Sequence, residues 1–317
     1  GNRFFPTGFD TLSTKMNKVL SLRAPAKINL YLKVINRRED GYHNLLSLMH
    51  MIGLYDQIIL KEREQGLTLR VQNSPLLPDH SNLVLQAATL LQKEMISSGY
   101  PSKGADITLK KEIPLSAGLA GGSSDAAAAL IGLNRLWSLN WTKEKLAGLS
   151  EQLGSDLPFF FDGPAAWVFG RGEQVEPVYP ELKKWLVLVN PGIAVSTASV
   201  FEAFSAQTGL TKTGTPINIT GTEWRPEIEH ILQNPQNDLE IVTLKRFPQL
   251  KTIKERLKEV GGSTVLMSGS GPSLFAFFED QKKANAAARQ IRQMYQDPLV
   301  KVWAVPLLQA SPFSEFI

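Results

Sequence analysis

The stretch PLSAGLAGGSSDA, residues 114–126, is the most informative part of this sequence. A strand-like segment, ITLKKEIP (107–114), precedes it, and an alanine-rich helical segment, DAAAALIGLNRLW (125–137), follows it. Small residues let a phosphate approach the backbone closely, and the free N–H groups and the dipole of the first helical turn then favour an anion. The stretch therefore predicts a phosphate-binding loop between a strand and a helix.

This loop differs from the two common phosphate-binding loops. A Walker A loop needs a lysine after its glycines, and a Rossmann fingerprint needs the spacing GxGxxG, which Gly118, Gly121 and Gly122 do not have. The alternative is a helix start that only packs tightly. The pair Ser123–Ser124 argues against it, because hydroxyls at a helix start are natural caps and natural contacts for a phosphate or a metal.

The composition is typical of a globular protein, with 317 residues, 43% hydrophobic and 20% charged. The net charge is +4 from dispersed basic residues, which favours anionic small molecules over a nucleic-acid surface. The absence of cysteine excludes disulfides, thiolate nucleophiles and cysteine-type zinc sites. No apolar run reaches the roughly 18 residues of a membrane span. We expect a cytoplasmic protein with no nucleic-acid or membrane partner.

The length favours two domains. We expect a leader over residues 1–18, either disordered or an artificial extension, a first domain over 19–183 and a second over 184–317. Strands are predicted at 21–35, 58–61, 67–71, 107–110, 165–169, 175–178, 185–189, 264–268, 273–278 and 299–304. Helices are predicted at 81–97, 125–137, 143–153, 198–207, 226–234, 237–245, 250–260 and 281–295, with a loop at 209–222. This order predicts an α+β fold.

The alternation in the strand 21–35 puts Lys27 and Asn29 side by side, on the face opposite the apolar side chains. Asp156 precedes Pro158 at the start of an element, so it is either a helix N-cap or a carboxylate aimed at a substrate hydroxyl. Lys27 is either an edge lysine with a solvated head or the cation that keeps such a carboxylate ionised. Together they suit phosphoryl transfer to an alcohol.

Two further segments remain open between structural and functional interpretations. SGSGP (268–272) is either a tight turn or a second loop that closes over nucleotide phosphates. Tyr42 and His43 follow a turn glycine, and they are either ordinary turn residues or a stack and an edge contact for a base.

At this point the motifs add up to a family pattern. Its segments are PAKINLYL (25–32), REDGYHNL (38–45), PLSAGLAGGSSDAA (114–127), GSDLPFF (154–160), GRGE (170–173), PGIAVSTASVF (191–201) and LMSGSGPS (266–273). Over roughly residues 21–305 the sequence resembles the GHMP kinase superfamily. Within it, the chain is similar to the kinases that phosphorylate the 2-hydroxyl of CDP-methylerythritol with ATP in the non-mevalonate route to isoprenoid precursors.

The resemblance implies a ribosomal-protein-S5-like N-terminal domain, a ferredoxin-like C-terminal domain and a substrate cleft between them. It implies that Asp156 is the catalytic base and that Lys27 binds both Asp156 and the acceptor hydroxyl. Substrate contacts are implied for Asn29, for Tyr42 and Phe201 around the cytosine, for His43 at the cytosine edge, and for Thr197. ATP contacts are implied for Asn82, Lys111, Pro114, Ser116, Gly118, Leu119, Ala120, Gly121, Gly122, Ser123, Ser124, Gly269 and Gly271.

The chain departs from the family loop, which often reads GLGGGSSN, at Ala120 and Asp125. Mg²⁺ is expected with ATP, but the sequence fixes no ligands, and Ser123, Ser124 and Asp125 are candidates only. The alternative function is another kinase of the superfamily, acting on homoserine, mevalonate or a sugar. An RNA-binding module and a catalytically silent nucleotide sensor also stay open. We expect a monomer or a weak homodimer.

Overall fold

The computed structural model describes residues 18–210 and 225–317. The predicted leader covers residues 1–18, of which the structure describes only Lys18. The predicted loop covers residues 209–222, of which it describes only 209 and 210. Both predictions therefore lie outside the described residues, except at positions 18, 209 and 210.

The first sheet has seven strands with a long strand at its centre. They are β1 (Val19–Arg37), β2 (His43–Arg63), β3 (Leu67–Gln72), β4 (Gly104–Lys110), β5 (Ala165–Gly170), β6 (Gln174–Val178) and β8 (Gln236–Asn237). β1 runs antiparallel to β2 along one edge. The other edge of β2 is shared by β5, beside residues 45–50, and by β4, beside residues 57–63. β3, β6 and β8 extend the sheet.

Sequence alternation predicts only residues 58–61 of β2, and the structure corrects this by starting the strand at His43. Residues 43–54 are almost all buried, because both faces of this half are covered. A strand covered on both faces has a continuous apolar run instead of an alternating one, so alternation does not find it.

The alternation predicted for β1 is also wrong beyond Asn29. The pairing with β2 shifts register between Asn29 and Tyr31, so the side chains change faces there. Ile28 and Leu30 belong to one apolar cluster, whereas Leu32 and Val34 belong to another. The face that carries Lys27 and Asn29 is buried and not half-exposed, because other elements pack over it.

Helices cover one face of this sheet. They are α1 (Leu83–Ser97), α2 (Gly121–Leu136) and α3 (Lys143–Ser150), with a 3₁₀ helix at Pro158–Phe161. Residues of α1 and α2 pack against Leu22, Ile58 and Ile107 of the strands. α2 is buried on nearly all sides, as its alanine-rich sequence predicts.

The second sheet has four antiparallel strands in the order β11-β7-β10-β9. They are β7 (Trp185–Asn190), β9 (Ser263–Met267), β10 (Leu274–Phe278) and β11 (Lys301–Pro306). Its helices are α4 (Thr197–Thr208), α5 (Ile228–Gln233), α6 (Glu240–Arg246), α7 (Gln249–Glu259) and α8 (Gln281–Met294). The order β7, α7, β9, β10, α8, β11 is that of a ferredoxin-like domain.

The two sheets pack against each other. Leu186 and Leu188 of β7 lie in the same apolar cluster as Ile28 and Leu30 of β1, whereas Val187 of β7 lies in the cluster with α7 and α8. The layers are therefore helices, large sheet, small sheet and helices. No helix among residues 18–210 and 225–317 is long and apolar enough to cross a bilayer.

The chain returns to the first sheet after β11. The Leu308 N–H donates to the Met51 carbonyl at 3.0 Å, and Phe313 is fully buried in the apolar cluster of the first sheet and its helices. β8, which lies between α5 and α6, also pairs with β1. Both segments fall within the range 184–317 predicted as the second domain, and they join the two units.

Candidate active site

A cleft of about 680 Å³ lies where the two units meet. Most of the predicted site residues line it. They are Lys27, Asn29, Asn82, Lys111, Pro114, Ser116, Gly118, Ala120, Gly121, Gly122, Ser123, Asp125, Asp156, Thr197, Phe201 and Gly269. Lys27 and Gly269, which are 242 positions apart in the sequence, thus line the same cleft.

Five predicted site residues do not line this cleft: Tyr42, His43, Leu119, Ser124 and Gly271. Leu119 and Ser124 are buried, whereas Tyr42 is 54% exposed. The roles implied for these residues stay predictions.

Lys27 and Asp156 face each other in the cleft, with the Lys27 Nζ atom 4.0 Å from Asp156 Oδ2. The Lys27 side chain is buried, and the Asp156 side chain is 36% exposed. Lys27 Nζ also donates to Asn29 Oδ1 at 2.8 Å and to the Gly118 carbonyl at 3.2 Å. An ammonium has three N–H donors, so two hold it in place and one remains for an acceptor in the cleft.

Burial lowers the pKa of Lys27, and the negative charge of Asp156 raises it in part. Asp156 lies in the turn before the 3₁₀ helix, whose first turn has no side-chain cap. The N-cap alternative for Asp156 is therefore wrong, and its carboxylate remains available to the cleft.

The phosphate loop leads into α2, which begins at Gly121. The N-cap position is Ala120, in the left-handed region with φ 53°, and no side chain caps the helix. Of the two uses that the sequence suggests for Ser123 and Ser124, the structure excludes capping, since the cap position is Ala120 and no side chain caps the helix. The uncapped N–H groups of this turn lie beside the cleft, where they can bind an anion.

Three buried charged residues lie behind the loop. Lys111 Nζ donates to Asp56 Oδ2 and, at 2.7 Å, to Asp125 Oδ2. Asp56 Oδ1 accepts the backbone N–H groups of Glu112 at 2.6 Å and Ile113 at 2.9 Å, where the loop begins. Lys111 and Asp125 therefore hold each other, whereas the sequence places Lys111 at the nucleotide and makes Asp125 a candidate metal ligand.

The pKa values of this cluster reflect its burial. Burial opposes the charged form of Lys111, but Asp125 and Asp56 together raise its pKa. Burial raises the pKa of Asp125 well above its usual range, and the ammonium of Lys111 offsets this only in part.

The second glycine turn contacts the first one directly. Gly118 has φ +77°, and a Cβ atom there would lie 2.1 Å from the Ser268 carbonyl oxygen. The Ser268 hydroxyl donates to the Gly118 carbonyl at 2.9 Å. Asn237 of β8 donates to the carbonyls of Met267 and Gly269 and so holds the turn. SGSGP is thus both a tight turn and a wall of the cleft.

Beside the second glycine turn, Thr197 Oγ1 lies 2.9 Å from Ser270 Oγ. The Phe201 ring stacks on His43, with centroids 5.0 Å apart and an interplanar angle of 26°. His43 Nε2 is 2.6 Å from Ser205 Oγ, and burial, with a smaller effect of Arg37, lowers the pKa of His43. Tyr42 stands apart from this group, with the Arg171 guanidinium 5.4 Å from its ring centroid.

The described residues contain no group of three or more His, Cys, Asp or Glu side chains that could hold a metal. Of the three metal candidates, Ser123 faces the cleft, Ser124 is buried and Asp125 is bound to Lys111. Residues 18–210 and 225–317 therefore offer an incoming metal few ligands in this cleft.

Sequence reasoning missed five polar residues that line the cleft: Ser47, Ser81, Ser155, Arg171 and Ser270. Arg171 and Ser270 lie inside the quoted motifs GRGE and SGSGP, so their position between glycines was the available signal. Ser47 lies in the half of β2 that alternation does not detect, and no sequence signal marks it.

Comparison with known proteins gives the family. Residues 82–164 match the model of the GHMP kinases N terminal domain, and residues 225–297 match that of GHMP kinases C terminal. Two curated relatives are both named 4-diphosphocytidyl-2-C-methyl-D-erythritol kinase. The one from Syntrophus aciditrophicus (strain SB) is 42% identical, with 85% of this chain and 93% of the relative covered. The one from Moorella thermoacetica (strain ATCC 39073 / JCM 9320) is 40% identical, with 89% and 98% covered.

A solved structure agrees with these relatives. The crystal structure of a 4-(cytidine 5'-diphospho)-2C-methyl-D-erythritol kinase superposes with a TM-score of 0.73 at 33% identity, over 91% of this chain and 99% of that one. The predicted α+β, two-domain fold is thereby confirmed, and another kinase of the superfamily is not favoured. This chain belongs to the 4-diphosphocytidyl-2-C-methyl-D-erythritol kinase family of the GHMP kinases.

Proposed function

We propose that this protein transfers the γ-phosphoryl group of ATP to the 2-hydroxyl of 4-diphosphocytidyl-2-C-methyl-D-erythritol. The products are the 2-phosphate and ADP, and the reaction belongs to the non-mevalonate route to isoprenoid precursors. Residues 19–183 form the ATP-binding domain in this proposal, and residues 184–317 form the substrate-binding domain.

The observation that carries the proposal is the Lys27–Asp156 pair beside the phosphate loop. The 4.0 Å between Lys27 Nζ and Asp156 Oδ2 is longer than a direct hydrogen bond. A hydroxyl placed beside both groups can donate to the carboxylate and accept from the ammonium. Gly118 links this pair to the loop, because its carbonyl accepts from Lys27.

The reaction follows from these positions. The oxygen of the acceptor hydroxyl attacks the γ-phosphorus, the bond to the oxygen that bridges to the β-phosphate breaks, and ADP leaves. Asp156 takes the hydroxyl proton, and the ammonium of Lys27 orients the alcohol. The N–H groups of the loop and of the first turn of α2 bind the phosphates and stabilise the charge that develops on them.

Mg²⁺ enters this proposal as part of the nucleotide substrate, bound by the phosphate oxygens. When bound there, it would neutralise charge on the transferred group. The Ser123 hydroxyl is the side chain that we assign to it. Asn82 and the loop residue Pro114 line the part of the cleft assigned to the adenosine end.

Phe201 and Thr197 are assigned to the acceptor end of the cleft. Phe201 presents an aromatic ring to the cleft, which suits a stacked base. Tyr42 stays a proposed second half of this stack, and His43 a proposed contact to the base edge. The expectation of a monomer or a weak homodimer stays a prediction.

A coupled ADP-release assay tests the proposal. The purified protein is given MgATP with CDP-methylerythritol, homoserine, mevalonate or galactose in parallel reactions. We expect ADP release with CDP-methylerythritol alone. Release with one of the other alcohols, or ATP binding without release in any reaction, would refute the proposed acceptor.

A further inference from the structure

Ser47 lies behind the catalytic lysine and has no assigned role. It is on β2, is 1% exposed and borders the cleft beside Asn29. Its hydroxyl donates to the Tyr31 carbonyl at 2.7 Å. The same oxygen is 2.8 Å from the Asn29 side-chain nitrogen, Nδ2.

These two contacts define which way the Asn29 amide points. A serine hydroxyl carries one hydrogen, and a backbone carbonyl can only accept, so the Ser47 hydrogen is used by Tyr31. Ser47 Oγ can then only accept from Asn29. The NH₂ group of Asn29 must therefore face Ser47, and its Oδ1 atom must face the other way.

The other end of the amide meets Lys27. Asn29 Oδ1 accepts from Lys27 Nζ at 2.8 Å. A reversed amide would place its NH₂ group against the ammonium, so two groups with only donors would face each other in a buried site. Burying polar groups without a matching partner is costly, so Ser47 and Lys27 together select one orientation.

We propose that Ser47 is a positioning residue for the phosphoryl transfer: through the amide of Asn29, it aims the ammonium of Lys27 at Asp156 and the acceptor hydroxyl. This rests on the proposed function, but it holds for any alcohol that is phosphorylated between Lys27 and Asp156. Ser47 has no direct part in the chemistry, because its hydrogen bonds go to Tyr31 and Asn29.

The loss of Ser47 should be measurable in the pH profile of activity, because it changes the surroundings of the Lys27 ammonium. Among the charged groups that line the cleft, Asp156 faces Lys27, Lys111 and Asp125 are bound to each other, and Arg171 packs over Tyr42. Burial already favours the neutral form of Lys27. Without Ser47 the NH₂ group of Asn29 loses its acceptor, so the amide is held less firmly and its Oδ1 atom stabilises the charged form of Lys27 less.

The test compares Ser47→Ala with the parent protein in kcat, KM for ATP and the pH profile of kcat. We expect kcat to fall about 10- to 100-fold, as for a displaced reacting group, with KM for ATP unchanged. We also expect the alkaline limb of the profile to move about one unit to lower pH. Ser47→Thr keeps the hydroxyl and should restore both kcat and the profile.

Ser150→Ala is the matched control. Ser150 is equally buried and its hydroxyl donates to the Ala147 carbonyl at 2.7 Å, but it lies on α3, away from the cleft. This variant should keep the parent pH profile. Should Ser47→Ala not fold, Ser47→Cys makes the same test, since a thiol fills the space of the hydroxyl, although it is somewhat larger, and hydrogen-bonds only weakly.

The outcomes separate the two proposals. A parent protein that phosphorylates an alcohol other than CDP-methylerythritol refutes the proposed acceptor, and the Ser47 variants are then tested with that alcohol. A parent-like kcat and pH profile in folded Ser47→Ala refutes the positioning role, whatever the acceptor is. A fall in kcat without movement of the alkaline limb also refutes it.

Discussion

Lys27 is held by contacts from several parts of the chain. Its backbone N–H donates to the Leu119 carbonyl at 3.0 Å, and its ammonium donates to Asn29 and Gly118. An ammonium on a flexible four-carbon chain loses substantial rotamer freedom when it is fixed in this way. The fold supplies that ordering in advance, so the substrate meets a cation that is already oriented.

Asp156→Asn tests whether Asp156 is the base that takes the hydroxyl proton. The amide has nearly the same shape as the carboxylate but cannot take the hydroxyl proton. We expect turnover to fall ~10²–10⁴-fold, with KM for ATP nearly unchanged. Steady-state ADP release measures both quantities.

Asp162→Asn is the control for this variant. Asp162 follows the same 3₁₀ helix, but its carboxylate binds Lys143 at 2.7 Å and does not line the cleft. Its turnover should match that of the parent. Near-normal turnover in Asp156→Asn would remove Asp156 from the role of base.

The free energy of unfolding should depend on pH through His50. It is buried on β2, its Nδ1 atom is 2.8 Å from the Met51 carbonyl, and burial lowers its pKa from 6.5 to about 4. Above pH 6.5 the ring is neutral in both the folded and the unfolded chain. As the pH falls below 6.5, the unfolded chain binds a proton that the folded chain does not, so stability is lost until about pH 4.

His50→Gln isolates this contribution. We expect the free energy of unfolding of the variant, relative to that of the parent, to rise by up to about 3 kcal/mol between pH 7.5 and pH 4. Urea unfolding at several pH values measures it. A difference between the two proteins that stays constant over this range would contradict the prediction.

At the scale of elements, the loop and α2 are fixed by a charge cluster behind them. Asp56 on β2 accepts two backbone N–H groups where the loop begins, and Lys111 joins Asp56 to Asp125 in the first turns of α2. The cluster therefore ties β2, the loop and the helix together. These contacts fix the backbone of the proposed anion site.

Lys111→Met tests this cluster. Without the ammonium, two buried carboxylates lose their shared counter-charge, and we expect a loss of about 3–5 kcal/mol in the free energy of unfolding at pH 7. Adding Asp125→Asn removes one of the uncompensated charges, so the double variant should be more stable than Lys111→Met alone.

Urea unfolding of the parent, both single variants and the double variant gives the coupling between these residues. If the two losses simply add, Lys111 and Asp125 are not coupled, and the cluster is not what fixes the loop.

The sequence predicts single elements well where one local pattern governs them. Helix α8 and strand β7 lie within about two residues of their predicted bounds, because each has a clear period or a continuous apolar run. The early start of β2, the register shift in β1 and the short strand β8 depend on what packs against them. Local patterns do not contain that information.

Some residues of the candidate site can likewise be predicted from the sequence, and others cannot. Lys27, Asp156 and the loop glycines stand in motifs and could be named from the sequence. Ser47 and Asp56 matter because of contacts with residues distant in the chain, such as the 55 positions between Asp56 and Lys111. Only the tertiary structure brings those partners together.

At the scale of the whole molecule, the site depends on how the two sheets meet. Ser268 lies in the turn between β9 and β10, and its hydroxyl donates to the Gly118 carbonyl. The same hydroxyl oxygen accepts from the backbone N–H of Asn29 on β1 at 3.4 Å. The Gly118 carbonyl also accepts from Lys27. The Gly118 carbonyl thus joins the second unit to Lys27.

Gly118→Ala tests this junction. A Cβ atom at Gly118 would lie 2.1 Å from the Ser268 carbonyl oxygen and 3.3 Å from the Gly271 nitrogen, so the second turn must move away. We expect kcat to fall on the order of 100-fold, because a displacement of about 1 Å at the reacting groups has that effect.

Gly66→Ala is the matched control for backbone strain. Gly66 has φ +78°, close to the +77° of Gly118, but a Cβ atom there meets nothing within 4 Å. Both variants carry a similar strain of about 1–2 kcal/mol, measurable by urea unfolding. Only Gly118→Ala should lose activity. Equal kcat values in the two variants would mean that the contact between the glycine turns does not set the geometry of the site.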